Sequence, residues 1–415
     1  MRVEIVTIGD ELLLGYTMDT NAAHLARELA TIGIDVGRRA TVGDDASAIA
    51  DAVRDALDRC GAVITTGGLG PTADDLTKPA IAALFGRALR LDEGVLAGIE
   101  QRFRRLGHPG PMPPPNRQQA LIPEGARVLE NHHGSAPGIW LEDERGRWVA
   151  MLPGVPREMR GMTVDTLVPL LAGRVGVDPP VVLSRTLRTT GIGESALAEQ
   201  LAEDAREIAG IPIAYLPGWE GTDLRLTVRG VPVAEAVTQL DRGVSVIRAR
   251  AGRWIYAEGD ATLTEVVLGL CRTHGVRIAT AESCTGGMLG AMLTAIPGSS
   301  DVFLGGAVVY ANEVKTSLLG VPESMIRDQG AVSEGVARAM AEGACERLGT
   351  EIGIAITGVA GPGGGTADKP VGTVWIATRI RGATTALRRI LVGDRDEIRR
   401  RACQASLELI RRALS

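Results

Sequence analysis

Two stretches of this sequence carry residue types at spacings that chemistry requires. The first is Thr65-Thr66-Gly67-Gly68-Leu69-Gly70-Pro71-Thr72-Ala73-Asp74-Asp75-Leu76-Thr77. Glycines let a backbone come close to a ligand and adopt positive φ, so successive N–H groups can point at phosphate oxygens. Thr77 precedes a helical pattern and would cap it, turning the positive end of that helix toward the same anion. Adjacent Asp74 and Asp75 suit a phosphate only with a divalent cation between them, and Asp10-Glu11, after the first apolar run, supplies two more carboxylates. The prediction is a phosphate-containing ligand held by Gly67, Gly68, Gly70, Thr72 and Thr77, with Asp10, Glu11, Asp74 and Asp75 on a metal.

The second stretch is Thr280-Ala281-Glu282-Ser283-Cys284-Thr285-Gly286-Gly287, followed by Pro297-Gly298-Ser299-Ser300 and Tyr310-Ala311-Asn312-Glu313-Val314-Lys315. A serine is weakly nucleophilic until a base takes its proton. The histidine of this region, His274, falls inside a helical pattern, so a Ser-His-Asp triad lacks its base. A lysine whose pKa is lowered by burial can do that work. Tyr310 and Lys315 lie five apart across a strand-to-helix junction and can face one cleft. A Ser–Lys pair beside a Tyr hydroxyl is sufficient for amide hydrolysis, and spacing alone allows Ser299 or Ser300. Ile354-Ala355-Ile356-Thr357-Gly358-Val359-Ala360-Gly361-Pro362 reads as a strand opening into a turn that offers N–H groups to a phosphate or an oxyanion. Cys284 has no histidine nearby in sequence to activate it and reads as a small buried residue.

These strings need elements to hold them. Val3 to Ile8 is a short apolar run; Asn21 offers an N-cap to a helix marked by Ala22, Leu25, Ala26 and Leu29. Ile34 to Val42 reads as strand, Ala46 to Leu57 as helix, and Ala62 to Thr66 as a buried strand. Such alternation predicts a parallel sheet covered on both faces. The proline-rich stretch 108–115 is a loop, Trp148 to Leu152 a strand, and Arg157 to Leu171 a helix. Val181 to Thr189, Ile211 to Leu216 and Asp223 to Val228 read as strands, with helices from Glu194 to Ile208 and from Val233 to Ile247. Glu258-Gly259-Asp260 is the hinge into a last segment, which opens with a helix from Leu263 to Thr273 and a strand from Val276 to Thr280. Its final helix shows Ile398, Ala402, Ala405, Leu409 and Ala413 on one face. The arginines of that helix are accompanied by acidic residues, so they read as a solvated face rather than a nucleic-acid patch. The domains are expected at 1–170, 171–258 and 259–415.

Composition bounds the function. At 415 residues the chain is two to three times a usual domain. Lys plus Arg number 45 against 50 Asp plus Glu, a net charge of −5, so charge alone draws it to neither nucleic acid nor anionic membrane. Three Phe, four Tyr and five Trp leave the cores aliphatic and offer little for base stacking. The five cysteines form no Cys-x-x-Cys pair, which argues for reduced thiols rather than a zinc knuckle or disulfide framework. There is no signal segment and no apolar run of roughly 18 residues, and the expectation is a soluble cytoplasmic protein.

The Gly67-Gly68-Leu69-Gly70 loop with Asp75-Leu76-Thr77 resembles the molybdopterin-binding domain family, although Leu69 stands where a Thr is common. More narrowly, Gly9-Asp10-Glu11-Leu12-Leu13, the 67–77 string and Leu152-Pro153-Gly154-Val155-Pro156-Arg157-Glu158-Met159 resemble the N-terminal part of the CinA family. The second resemblance is closer: Ala281 to Gly287, Pro297 to Ser300, Tyr310-x-Asn312-x-x-Lys315, Gly330-Ala331-Val332-Ser333, Gly358 to Gly363, Lys369 to Trp375 and Gly393-Asp394-Arg395 are similar to the CinA C-terminal domain. Together they cover essentially the whole chain. The resemblance implies an α/β protein with a molybdopterin-binding-like three-layer parallel-sheet domain, a small α+β middle domain and a C-terminal α/β amidohydrolase domain. It implies hydrolysis of nicotinamide mononucleotide to nicotinate mononucleotide and ammonia at the C-terminal domain, without a cofactor. It also implies cleavage of ADP-ribose to AMP and ribose 5-phosphate at the N-terminal domain, with cobalt or magnesium.

By the same resemblance Ser300 is the nucleophile, Lys315 the general base and Tyr310 a relay. Ser283, Thr285, Gly286, Thr357 and Gly358 hold the substrate, and Arg395 or Arg399 its phosphate. The partners implied are these small nucleotides and a second copy in a homodimer, with no direct nucleic acid and no membrane. Two other readings carry their own tests. A molybdopterin-binding protein would copurify a fluorescent pterin, and a non-catalytic competence-associated binding protein would show at most weak, salt-sensitive DNA retention.

Overall fold

Six of the seven residues of the strand Arg2–Ile8 are buried, the mark of a strand covered on both faces. The computed structural model describes residues 1–105, 110–176, 179–201 and 207–415. It has two compact units, residues 1–183 with 228–239 and residues 184–227 with 240–415. In the first unit Asp35–Val42, Arg2–Ile8, Ala62–Thr66 and Trp148–Leu152 run parallel in that order. Gly138–Glu142 and Arg127–Leu129 extend the sheet antiparallel, two of its six strands that the parallel-sheet expectation did not include. On one face Val3 and Ile5 pack with Ala22, Leu25 and Leu29 of the helix Thr20–Thr31 and with Met159 and Met162. On the other, Val6 and Ile8 pack with Ile49 and Val53 of the helix Ala46–Cys60 and with Ile81. The result is the expected three-layer domain, with the carboxyl ends of the parallel strands at one edge.

Asn21 is not the N-cap of its helix. Asp19 is, accepting the Ala22 N–H at 2.9 Å, because its side chain leaves the chain one residue outside the first turn. Of the proline-rich stretch, His108 and Pro109 lie outside the described residues, and Pro114 opens a 3-10 helix over Pro114–Ala120. The helical span after Pro156 runs on through a π turn at Thr163–Leu167 to Val175.

The middle segment is a sheet of Glu207–Ile208, Ile211–Pro217, Thr222–Val231, Val181–Thr189 and Ile255–Glu258 in that order, with helices Glu194–Leu201 and Val233–Ala251. The helix expected from Glu194 to Ile208 ends at Leu201; residues 202–206 lie outside the described residues, and Ile208 pairs with Ile211 in the sheet.

The last segment is a second three-layer sandwich. Phe303–Val308, Ile278–Glu282 and Ile352–Gly358 run parallel, and Thr373–Ile380 and Ala383–Ile390 follow antiparallel. The helices Leu263–His274, Met288–Thr294 and Arg395–Leu414 cover one face, and Asn312–Leu319 and Glu334–Leu348 the other. Its first strand begins at Ile278 rather than Val276. Left-handed Gly275 ends the preceding helix, and the Val276 N–H is spent on the Cys271 carbonyl. In the final helix Ile398, Ala402, Cys403, Leu407, Ile410 and Leu414 are buried, while Ala413 is exposed. The true stripe drifts around the helix as a 3.6-residue repeat must. All five cysteines are free, and among the described residues no helix is long and apolar enough to cross a membrane.

Candidate active sites

At the carboxyl edge of the first sheet a cavity of about 480 Å³ is lined by Gly9, Glu11, Asn21, Asp44, Gly67, Gly68, Gly70, Asp74, Asp75 and Glu158, among others. Gly67 has φ +111°, and a Cβ there would lie 2.1 Å from the Ile8 carbonyl oxygen, so the loop can turn over the neighbouring strand only with glycine. Asp75 holds the loop shut: its carboxylate accepts the Gly70 N–H at 2.7 Å, the Thr72 N–H at 2.8 Å and the Thr72 hydroxyl at 2.6 Å. Thr77 does not cap its helix, whose N-cap is Leu76; its hydroxyl donates instead to the Gly67 carbonyl at 2.8 Å. Thr72, Asp75 and Thr77 therefore spend these groups on the loop itself, and the glycines are what the loop presents to the cavity.

Asp10 faces Asp44 in a reciprocal pair, its N–H donating to one Asp44 oxygen at 3.0 Å and its carboxylate accepting the Asp44 N–H at 3.2 Å. Burial pushes the Asp44 carboxyl up, and the negative charges of Asp10, Glu11 and Asp74 push it further. Asp44 is not marked out in the sequence, although Gly43-Asp44-Asp45 follows a parallel strand as Gly9-Asp10-Glu11 does. Among the described residues no three acidic, His or Cys side chains close on a point as a metal cage. The mutual repulsion around Asp44 nonetheless fits a cation that arrives with a phosphorylated ligand, whose oxygens would complete its shell. Asn21, expected at a cap, lines the cavity: its amide donates to Thr66 Oγ1 at 3.1 Å and to the Gly154 carbonyl at 2.7 Å, and its Oδ1 has no partner among the described residues.

The second constellation stands at the carboxyl edge of the last sheet. Ser283 continues the strand Ile278–Glu282 and donates its N–H to the Ile356 carbonyl of the adjacent strand, which brings Ser283 beside Thr357 and Gly358. Lys315, on the helix Asn312–Leu319, is 1% exposed. Its Nζ donates to the carbonyls of Val309 at 2.9 Å and Tyr310 at 3.1 Å, and among the described residues no carboxylate pairs with it. Burial lowers its pKa, opposed by the charges of Cys284 and Glu313. The Tyr310 ring is exposed, and its hydroxyl accepts from Arg395 at 3.2 Å. Arg395 also donates to the Gly361 carbonyl at 2.6 Å, and Arg399 to that of Thr285 at 2.7 Å. Both guanidinium groups sit on the first turns of Arg395–Leu414, where the helix dipole adds to their attraction for an anion. The Thr285 hydroxyl is buried and has no partner among the described residues, whereas Thr357 donates to the Ala331 carbonyl at 2.9 Å.

Ser300 is not among these groups. It belongs to the turn Ser299–Asp301, which precedes the strand Phe303–Val308, whereas Tyr310 and Lys315 follow it. Six residues of strand put the two ends about 20 Å apart. Ser299 shares that turn and is buried. Cys284 is buried, and burial raises its thiol to about 11, as an inert thiol requires.

Comparison with known proteins agrees with this architecture. Residues 4–173 match the family described as "Probable molybdopterin binding domain", 184–257 the "Damage-inducible protein CinA KH domain" and 260–414 the "CinA C-terminal domain". A CinA-like protein of Gemmatimonas aurantiaca is 61% identical over 416 residues, covering 100% of this chain and 97% of its own length. The chain belongs to the CinA family. Another CinA-like protein, from Gloeobacter violaceus, is 46% identical, covering 99% of this chain and 96% of its own. The solved structure of the competence/damage inducible protein CihA from Agrobacterium tumefaciens is 41% identical over 35% of this chain and 90% of its own, with a TM-score of 0.35.

Proposed function

We propose that this CinA-family chain hydrolyses the carboxamide of nicotinamide mononucleotide at its C-terminal site. The observation that carries the reading is Lys315, a buried lysine with two carbonyl partners and a lowered pKa, beside two arginines and an unpartnered hydroxyl. A neutral lysine accepts the proton of a serine as its oxygen bonds to the carboxamide carbon. Collapse breaks the C–N bond, and the lysine returns the proton to the departing nitrogen as ammonia. Water then cleaves the ester by the same base, leaving the carboxylate and the free serine. Arg395 and Arg399 suit the phosphate of a mononucleotide, and Thr285 the remaining polar edge of the substrate. Ser283, at the carboxyl edge of the sheet with Lys315, and Ser300, in the turn before Phe303–Val308, both answer to the nucleophile.

The cavity of the N-terminal domain supports a second hydrolysis, that of ADP-ribose to AMP and ribose 5-phosphate. The glycine loop would take the phosphates, and Asp44, Glu11 and Asp74 would hold a divalent cation. That cation supplies charge neutralisation at the phosphoanhydride.

A paired assay tests both halves. Lys315→Ala should abolish ammonia release and leave AMP formation intact, while Asp44→Ala with Asp74→Ala should do the reverse. Ammonia release by the unaltered chain should rise with pH and level off below the 10.5 of an ordinary lysine, because the base works only when deprotonated. Unchanged ammonia release from Lys315→Ala would overturn the amidohydrolase mechanism.

A further inference from the structure

Another cavity, of about 420 Å³, lies in the second unit and shares no lining residue with either candidate site. Gly191-Ile192-Gly193 leads into the helix Glu194–Leu201 on one side of it, and Gly218-Trp219-Glu220-Gly221 turns between the strands Ile211–Pro217 and Thr222–Val231 on another. Arg401, Gln404 and Glu408 close it from the helix Arg395–Leu414, where spacings of three and four put them on one face. Gln404 ties the walls together, its amide donating to the Glu220 carbonyl at 2.6 Å and to the Thr190 hydroxyl. Glycine at 191, with φ +73°, permits the approach, since a Cβ there would lie 2.9 Å from the Arg412 guanidinium.

Positive charge in this cavity is left unanswered. The two carboxylates that line it are already spent: Glu220 accepts from Arg188 at 2.8 Å and from the Tyr256 hydroxyl at 3.1 Å, and Glu408 from Arg411 at 2.7 Å and Arg412 at 2.5 Å. Arg401 and Arg389 have no carboxylate partner among the described residues. The Nε of Arg401 is buried and has no acceptor among them, and a buried donor of this kind costs free energy until an acceptor reaches it. Arg389 comes from the strand Ala383–Ile390, where Leu387, Arg389 and Leu391, two apart, line the same cavity. The N–H groups of Gly191, Ile192 and Gly193 find no acceptor among the described residues, ahead of a helix whose positive end favours an anion. Trp219, 39% exposed, adds an aromatic ring; Arg400, 6.0 Å from that ring, lines a neighbouring hollow rather than this one.

We propose that this cavity is a nucleotide-binding site apart from both candidate active sites, in which Arg401 and Arg389 hold a phosphate and Trp219 stacks on the base. Two guanidinium groups suit phosphate oxygens, which accept several N–H bonds at once, and the Gly191 loop adds main-chain donors. The lining carboxylates are neutralised by their own partners and do not oppose the anion. The volume lies in the range of small-ligand pockets, and an indole stacks on any base because every base has a π face. Neither proposed hydrolysis enters this inference.

Titration calorimetry of the full-length chain with AMP tests it, with Arg401→Gln, Arg389→Gln and Trp219→Leu alongside. AMP bound elsewhere on the chain is common to all four proteins, so the component that changes reports this cavity. Each arginine variant should weaken that component by about tenfold or more. Trp219→Leu should weaken AMP by about tenfold and leave the affinity for inorganic phosphate unchanged. Arg389 is exposed, so its variant decides the outcome should Arg401→Gln fail to fold. An unaltered chain that takes up no AMP, or an isotherm identical in both arginine variants and the unaltered chain, overturns the site. Phosphate bound as tightly as AMP, with AMP blind to Trp219→Leu, keeps the anion site and overturns the nucleotide.

Discussion

Thr285 has a fully buried hydroxyl with no partner among the described residues, and its own carbonyl is the one that Arg399 grips. Leaving such a group unsatisfied costs about 1–3 kcal/mol, which a fold tolerates where a ligand supplies the missing bond. Thr285→Val keeps the shape and removes the orphan. The variant should melt higher than the unaltered protein, by about 1 kcal/mol in stability, and bind nicotinamide mononucleotide more weakly, with KM raised and kcat little changed. Calorimetry and steady-state kinetics read both. A purely structural Thr285 would move stability alone. At this scale the sequence named Lys315, Thr285, Arg395 and Arg399, since Ser, Lys and Gly-rich strings have few structural explanations in combination. It passed over Asp44 and the cavity role of Asn21, because a lone carboxylate after a strand and a polar residue at a helix start are commonplace until neighbours converge on them.

At the scale of elements, the position of Lys315 depends on how closely two helices approach. A Cβ at Gly343, on the helix Glu334–Leu348, would lie 2.1 Å from the Leu319 carbonyl oxygen at the end of the helix that carries Lys315. Gly343→Ala must push that helix outward. The expected cost is about 1–3 kcal/mol of stability by denaturant unfolding, together with a fall in ammonia release at saturating substrate. The parallel strands and their covering helices were legible because apolar periodicity reports burial directly. Strand ends were less so: the Gly275 turn consumed Val276, and the antiparallel strands Gly138–Glu142 and Arg127–Leu129 left no alternation that marks their direction.

At the scale of the molecule, the two candidate sites fall in different compact units. Calorimetry of the full chain should therefore resolve ligand effects by unit. Nicotinamide mononucleotide at about 100 times its Kd should stabilise one transition by about 2.7 kcal/mol, and ADP-ribose with a divalent cation should stabilise the other. One transition shifted equally by both would contradict separate sites. The family, the layered α/β plan, the glycine loop and the residue types of both constellations are legible in the chain alone, because local periodicity and backbone freedom are properties of neighbouring residues. Which of those residues meet depends on the folded arrangement. It turned Asp75 and Thr77 inward to hold the loop, brought Asp44 and Asn21 to the cavity, and buried Lys315 beside Tyr310. It also set Ser300 at the far end of the strand, because parallel strands gather their carboxyl ends at one edge and leave whatever precedes them at the other.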